Sequence, residues 1–224
     1  MTGAFRVALA GLVQLAALAG LILIPAGTLD YWQAWMFLAV FAGAAWLPSI
    51  VVQVKNPAAL ERRMRGGPVA EQRPVQKVVM AGLYLSLAAM CVVGGLDRRY
   101  GWSSVPTPVC VAGAVLVALG LATVVAVTMQ NNYASTTVAV EPGQQVVSTG
   151  LYGVVRHPMY TANAIMLVGL PLALGSSWAL GFVLPGLLVL AARIRDEERL
   201  LDSELTGYRE YRRRVRHRLV PGIW

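Results

Sequence analysis

The residues best suited to chemistry lie in one short stretch that ends at the start of an apolar run. Arg156, His157 and Pro158 lie between two tyrosines, Tyr152 and Tyr160. Arginine binds carboxylates or phosphates through two N–H groups, histidine exchanges protons near neutral pH, and tyrosine rings stack on flat ligands. A proline favours the first helical turn, whose free N–H groups attract anions. The stretch predicts a ligand site, although cations and aromatic rings at a membrane surface also serve as a simple topology anchor.

A second polar block, about forty residues later, adds two carboxylates and two tyrosines. Glu197 and Glu198 are consecutive, so either or both can face the first block, or they can pair with arginines along their own helix. Tyr208 and Tyr211 fall on one side of a short helix predicted over residues 207–216, which is typical of a helix lying at a membrane interface. A ligand carrying both a cation and a carboxylate would need an acid and a base at this place.

The elements that must hold these residues are membrane helices. Of the 224 residues, 57% are hydrophobic and 13% are charged, whereas soluble domains have about 25% charged residues. Apolar runs at residues 7–26, 32–54, 78–96 and 109–129 each approach the roughly 20 residues that span a bilayer. We therefore predict four transmembrane helices within residues 1–130, and we interpret the first as a retained span rather than a cleaved signal peptide.

The last apolar region, residues 160–192, is interrupted by Gly175, Ser176 and Ser177. The two pieces of about 16 residues are slightly short for full spans, so they form either a tight hairpin of two spans or a re-entrant pair covered by protein. We predict two spans. The fold class is then all-α, a single-domain (residues 1–224) polytopic membrane helical bundle of about six transmembrane helices, in which residues 131–224 contain the helical hairpin and end in cytoplasmic helices.

The cations give the orientation of the chain. Alternating the loops puts every Lys and Arg except Arg98 and Arg99 on one side, which the positive-inside rule makes cytoplasmic, with both termini. The net charge of +8 is juxtamembrane and fits anionic lipid, and no nucleic-acid partner is expected. Cys91 and Cys110 lie in apolar runs without ligand spacing, so neither a metal site nor a disulfide is indicated.

Two cytoplasmic segments complete the prediction. Residues 55–77 contain a charged stretch, 61–65, which predicts a short surface helix followed by a turn at Gly66, Gly67 and Pro68. Residues 138–140 and 146–148 flank a turn and have the composition of two short extended pieces. The second pattern fits a small β structure or a lid over a cofactor equally well.

These motifs together resemble those of the membrane methyltransferases of the isoprenylcysteine carboxyl methyltransferase type, which have many prokaryotic relatives. The resemblance is carried by Gly150-x-Tyr152-x-x-x-Arg156-His157-Pro158-x-Tyr160, Glu197-Glu198-x-Leu200-Leu201, and Gly207-x-x-x-Tyr211 with the ending Arg218-Leu219-Val220-Pro221. It covers roughly the last 80 residues. The chain departs from the usual aromatic-Gly pair in having Leu205-Thr206-Gly207.

The resemblance implies S-adenosylmethionine as cofactor and methyl transfer to a lipophilic or small acceptor (a carboxylate, thiol or amine) at the cytoplasmic face of a prokaryotic inner membrane. The resemblance also implies that residues 131–224 form the cofactor-binding catalytic region. The implied catalytic residues are Arg156, Glu197 and Glu198. The implied cofactor-binding residues are Tyr152, Arg156, His157, Pro158, Tyr160, Glu197, Tyr208 and Tyr211.

Two other functions remain possible at the level of sequence. Arg193-x-x-Asp196-Glu197, followed by a Gly-x-x-x-Tyr helix, also resembles the tail of membrane sterol reductases, which use NADPH. A non-enzymatic membrane scaffold would need the charged ends only for topology, yet three polar blocks on one membrane face exceed that need.

Overall fold

A computed structural model describes residues 3–55, 71, 73–135 and 137–224 of the chain. Within these ranges the regular structure is helical, with no β-strand. In chain order the α-helices are α1 (Gly3–Ala26), α2 (Trp32–Lys55), α3 (Pro74–Tyr100), α4 (Thr107–Gln130), α5 (Pro158–Ala173), α6 (Val183–Glu204) and α7 (Tyr208–Arg214). Short 3₁₀ helices occupy Gly150–Gly153 and Ala179–Phe182.

The predicted spans and the observed helices agree in position. Three helical stretches are long and apolar enough to cross a membrane, namely Ala8–Ala26 of α1 and the whole of α3 and α4. The run at residues 32–54 forms α2, a helix of 24 residues that is not among those three. The predicted total of six crossings is not confirmed. The surface helix predicted at residues 61–65 lies outside the described residues.

The interruption predicted in the last apolar region separates two helices. α5 has 16 residues and is apolar but shorter than a span, whereas α6 continues well past the apolar region to Glu204. Gly175 lies in the break with a φ of 70°, a conformation that glycine adopts without strain.

Close backbone contact joins α4 to α5. A Cβ added to Gly113 would lie 2.3 Å from the backbone nitrogen of Ala173, and one added to Gly169 would lie 2.8 Å from the carbonyl of Gly113. Small residues at such a contact let two helices approach within backbone distance and pack without a cavity. α5, whose first residue is Pro158, is therefore held rigidly against α4.

A buried carboxylate fixes the end of α5 that lies away from Pro158. Asp97, near the end of α3, is 3% exposed and accepts hydrogen bonds from the hydroxyls of Ser176 (2.5 Å) and Ser103 (2.6 Å). Its other oxygen accepts from the backbone N–H of Ser103 at 2.7 Å. Because each bond joins Asp97 to a connecting segment, the carboxylate ties the α3–α4 and α5–α6 turns together.

Candidate functional site

A pocket lies where α4 ends and α5 begins, bounded by the second half of α6 and by α7. Its empty volume, including the open mouth, is about 840 Å³. Eight of the nine site residues predicted from the sequence line it: Tyr152, Arg156, His157, Pro158, Tyr160, Glu197, Tyr208 and Tyr211. The ninth, Glu198, is not among the lining residues.

The C-terminal segment closes one side of this pocket through backbone pairing with the chain that enters α5. The N–H of Arg156 donates to the carbonyl of His217 (2.9 Å), and the N–H of His157 donates to that of Arg218 (3.0 Å). At the fourth residue of α5, the Thr161 hydroxyl donates to the carbonyl of Leu219 at 2.8 Å. The sequence motif and the chain ending, about sixty residues apart, thus form one structural unit.

Glu198 is the charged centre of this unit. Its carboxylate side chain is 5% exposed and accepts from Arg156 Nε and Arg218 Nε, each at 2.8 Å, with His157 Nε2 at 3.2 Å. Burial acts to raise the pKa of Glu198, but the hydrogen bonds and charges of His157, Arg218 and Arg156 outweigh burial and lower the pKa to about 2. Since an ionised carboxylate only accepts hydrogen bonds, the Nε2 of His157 carries a proton.

The guanidinium of Arg156 is used mainly within the protein. In addition to Glu198, it donates through Nη1 to the carbonyls of Val215 (2.9 Å) and Arg216 (2.7 Å). Arg156 therefore lines the pocket while anchoring the segment that closes it.

Glu197 is the acidic side chain that lines the pocket in the described part of the chain. The hydroxyl of Tyr160 donates to its Oε2 and accepts from Arg193 Nε at 2.9 Å. The two consecutive glutamates therefore differ in position: Glu197 faces the pocket, and Glu198 lies buried behind it.

Tyrosines form the wall opposite α5. Tyr208 and Tyr211 are 3% and 2% exposed, with ring centroids 5.8 Å apart. The Tyr211 hydroxyl donates to the carbonyl of Tyr152 at 2.8 Å, whereas the buried Tyr208 hydroxyl has no partner in the described structure. Burial, together with the nearby charges of Glu198 and Glu197, raises the pKa of Tyr208, so this hydroxyl keeps its proton.

The segment after α4 supplies polar residues that the sequence reasoning did not assign to the site. Asn131, Thr137 and Gln144 line the pocket, and Asn131 Nδ2 donates to the Tyr152 hydroxyl at 3.0 Å. The extended pieces predicted at residues 138–140 and 146–148 form no strand, and this segment instead makes a wall of the pocket. The cluster of hydrogen-bonding side chains directly after α4 was the available sequence signal.

Comparison with known proteins gives similarities to a protein family and to a mouse protein. Residues 109–205 match the family model for phospholipid methyltransferases. The Delta(14)-sterol reductase TM7SF2 of Mus musculus is 33% identical over 91 residues, which are 39% of this chain and 22% of the mouse protein. The chain thus matches about a fifth of the length of that relative.

Proposed function

Residues 109–205 of this chain match the family model for phospholipid methyltransferases, and from that premise we propose that the chain transfers a methyl group from S-adenosylmethionine to an acceptor at the membrane surface. The family match and the apolar helices support a membrane methyltransferase. The activity, the cofactor, the acceptor and the residues that act all belong to our proposal.

The lining of the pocket fits the proposed cofactor in its chemistry. Glu197 offers a carboxylate to the sulfonium group, and the tyrosine rings offer flat faces to a purine. The single observation that carries the proposal is the Tyr208 hydroxyl, which is buried, unpartnered and part of the lining. A buried hydroxyl without a partner loses hydrogen-bonding free energy that a polar ligand restores.

S-adenosylmethionine, when bound, supplies an electrophilic methyl group on a positively charged sulfur. The protein acts by orienting the ligands and excluding water. Glu197, fixed by the Tyr160 hydroxyl, attracts the positive charge, and Arg156 with Glu198 keeps the C-terminal segment folded over the pocket.

The acceptor is a lipophilic or small molecule that reaches the pocket from the membrane surface. α4 is long enough to span the membrane and ends at Gln130, and the next residue, Asn131, lines the pocket. A carboxylate acceptor needs no base, whereas an amine or thiol must lose a proton, for which Glu197, the carboxylate in the pocket lining, is our candidate base. We propose that this face is cytoplasmic, since the arginines of residues 193–218 surround it.

A sterol-type reductase using NADPH is the second candidate, because a mouse sterol reductase shares 33% identity over part of the chain. NADPH carries several phosphate charges, which proteins normally bind with free arginine or lysine side chains. In the described pocket lining, Arg156 is the one arginine or lysine, and it already pairs with Glu198 and two carbonyls. This charge pattern favours a ligand with cationic groups.

Calorimetric titration of the purified protein in lipid nanodiscs tests the proposal. We expect binding of S-adenosylmethionine and of its demethylated product, S-adenosylhomocysteine, and no binding of NADPH. Binding of NADPH alone would replace the proposal with the reductase, and binding of none would favour the scaffold.

A variant that removes one charge tests the role of Glu197. Glu197→Gln removes the carboxylate that faces the pocket, so we expect about tenfold weaker binding of S-adenosylmethionine, which corresponds to about 1.4 kcal/mol. The affinity for S-adenosylhomocysteine should change little, because its sulfur is neutral. Glu204→Gln, at an exposed position of the same helix, is the matched control. Equal losses for both ligands would remove Glu197 from the proposed role.

A further inference from the structure

One buried arginine joins three elements behind the pocket. Arg193 is 4% exposed, and its guanidinium donates through Nε to the Tyr160 hydroxyl (2.9 Å). Through Nη1 it donates to Gln76 Oε1 at 2.9 Å, and through Nη2 to a carboxylate oxygen of Glu71 at 3.1 Å. Arg193 on α6 is therefore bound to α5, to α3 and to the residue that lies three positions before α3.

Glu71 itself has a second attachment. It is 2% exposed, and its two carboxylate oxygens lie 3.3 and 3.4 Å from the backbone nitrogen of Val138, whose N–H donates to them. Val138 belongs to the wall formed by the segment after α4. The buried carboxylate of Glu71 thus binds both the wall of the pocket, through Val138, and Arg193.

The hydrogen bond from Arg193 to the Tyr160 hydroxyl also orients the donor of Glu197. A tyrosine hydroxyl has a single hydrogen, and because Arg193 donates to its oxygen, that hydrogen is left to point at another acceptor. The acceptor is the Glu197 carboxylate, which faces the pocket. Without Arg193 the hydroxyl is free to rotate, and the Glu197 carboxylate loses its fixed donor.

A buried ion pair by itself is weak evidence for any role, because the cost of desolvation can cancel the attraction between the charges. The Glu71–Arg193 pair differs from an isolated pair in its connections. Both partners contact groups that line the pocket directly, one through a backbone amide and the other through a phenol.

We infer that Glu71 and Arg193 are positioning residues of the proposed methyl-transfer site, which fix the Val138 wall and the Tyr160–Glu197 pair in one geometry. The inference rests on the proposed function. It adds to the site a segment before α3 that lies outside the matched family region, residues 109–205. Neither residue touches the ligand in this role.

The test combines titration with hydrogen exchange on the full-length protein in nanodiscs. Glu71→Gln keeps the size of the side chain but removes its charge, and Glu71→Asp keeps the charge. We expect Glu71→Gln to weaken S-adenosylmethionine binding about tenfold and to speed amide exchange in residues 131–149, and we expect Glu71→Asp to recover much of both losses. Asp97→Asn is the matched control, because Asp97 is an equally buried carboxylate whose contacts lie at the opposite end of α5. This control should be less heat-stable than the wild type, with unchanged affinity and unchanged exchange in residues 131–149.

A double-mutant cycle separates positioning from general destabilisation. If Glu71 acts through Glu197 as well as through the Val138 wall, the Glu71→Gln/Glu197→Gln protein should lose clearly less affinity than the sum of the two single losses. Fully additive losses, a Glu71→Gln affinity within twofold of the wild type, or the same losses in Asp97→Asn would each overturn the inference. If Glu71→Gln cannot be purified, Tyr160→Phe removes the hydroxyl that joins Arg193 to Glu197. Fully additive losses in the Tyr160→Phe/Glu197→Gln protein would then overturn the inference.

The proposed function and this inference can fail separately. If the wild-type protein does not bind S-adenosylmethionine, the proposed function falls and hydrogen exchange alone decides the inference. Faster exchange confined to residues 131–149 in Glu71→Gln then supports the positioning of that wall, and unchanged exchange there refutes it.

Discussion

Replacing Glu198 with glutamine should destabilise the protein far more than a comparable change elsewhere on α6. In the native structure two guanidinium groups and one imidazole converge on this carboxylate. Glutamine has nearly the same shape, so packing is retained while the charge is lost. The variant therefore isolates the electrostatic part of the contact that holds the C-terminal segment against the start of α5.

The magnitude follows from the burial of each partner. The side chain of Arg156 is 5% exposed and would be left buried without an anion, whereas that of Arg218 is 31% exposed and can turn to water. Removing one partner of a buried pair costs about 3–5 kcal/mol, and we expect the lower end, about 3 kcal/mol, because Arg218 can be solvated. For a chain of this size, that loss lowers the Tm by about 6–12 °C.

Asp202→Asn provides the matched control. Asp202 is also on α6 and pairs with Arg212, but the two side chains are 23% and 45% exposed, so their pair should be worth less than about 1 kcal/mol. Thermal unfolding followed by tryptophan fluorescence in detergent compares the two variants. If Glu198→Gln loses no more in Tm than Asp202→Asn, the cluster around Glu198 does not stabilise the fold as we argue.

The same carboxylate predicts a pH dependence. Although burial opposes it, hydrogen bonding from His157, Arg218 and Arg156 lowers the pKa of Glu198 from an ordinary 4.5 to about 2. A group whose pKa is lowered in the folded state contributes fully above its ordinary pKa, and the contribution is lost as the pH falls from 4.5 through 2. The difference in Tm between the wild type and Glu198→Gln should therefore shrink over this acidic window, and a constant difference would contradict the assignment.

Three further predictions concern single side chains. Tyr208→Phe should weaken S-adenosylmethionine binding by about threefold to tenfold in calorimetry, with an unchanged Tm, because its hydroxyl has no protein partner to lose. Gly113→Ala should cost about 1–3 kcal/mol of stability, since its Cβ would lie 2.3 Å from the backbone of Ala173, whereas Gly43→Ala, with open space around the added Cβ, should leave the Tm unchanged or slightly raised. Tyr211→Phe should lower the Tm by a few degrees, an effect of about 1 kcal/mol, because it removes the part-buried hydrogen bond to the Tyr152 carbonyl; an unchanged Tm would show that water replaces the hydroxyl.

The helices were largely predictable from the sequence. The run predicted at residues 109–129 corresponds to Thr107–Gln130, and the run at 78–96 corresponds to Pro74–Tyr100. Backbone groups in lipid must be hydrogen-bonded within the helix, so a long apolar run leaves little choice of structure. The ends were less predictable because they depend on local geometry: α3 begins at Pro74, and Gly101, with a φ of 64°, caps it directly after Tyr100.

The set of residues around the pocket was also mostly predictable, but their individual positions were not. Consecutive helical residues point about 100° apart, so the sequence alone could not say whether Glu197 or Glu198 faces the pocket. The rotation of α6 is fixed by contacts with distant segments, in particular by Arg156 and Arg218 on either side of Glu198. Those contacts bury Glu198 and leave Glu197 facing the pocket.

The position of Glu71 was even less predictable from the sequence. In the sequence it is one charge in a juxtamembrane stretch, 122 residues from Arg193, and neither its type nor its spacing indicates a partner. The amino-acid sequence by itself determined which segments form long apolar helices and which polar residue types gather beside them, because these follow from local hydrophobicity, charge and motif. Only the tertiary structure decided which of two adjacent carboxylates faces the pocket and which buried pair supports the pocket wall, because both depend on how distant helices pack.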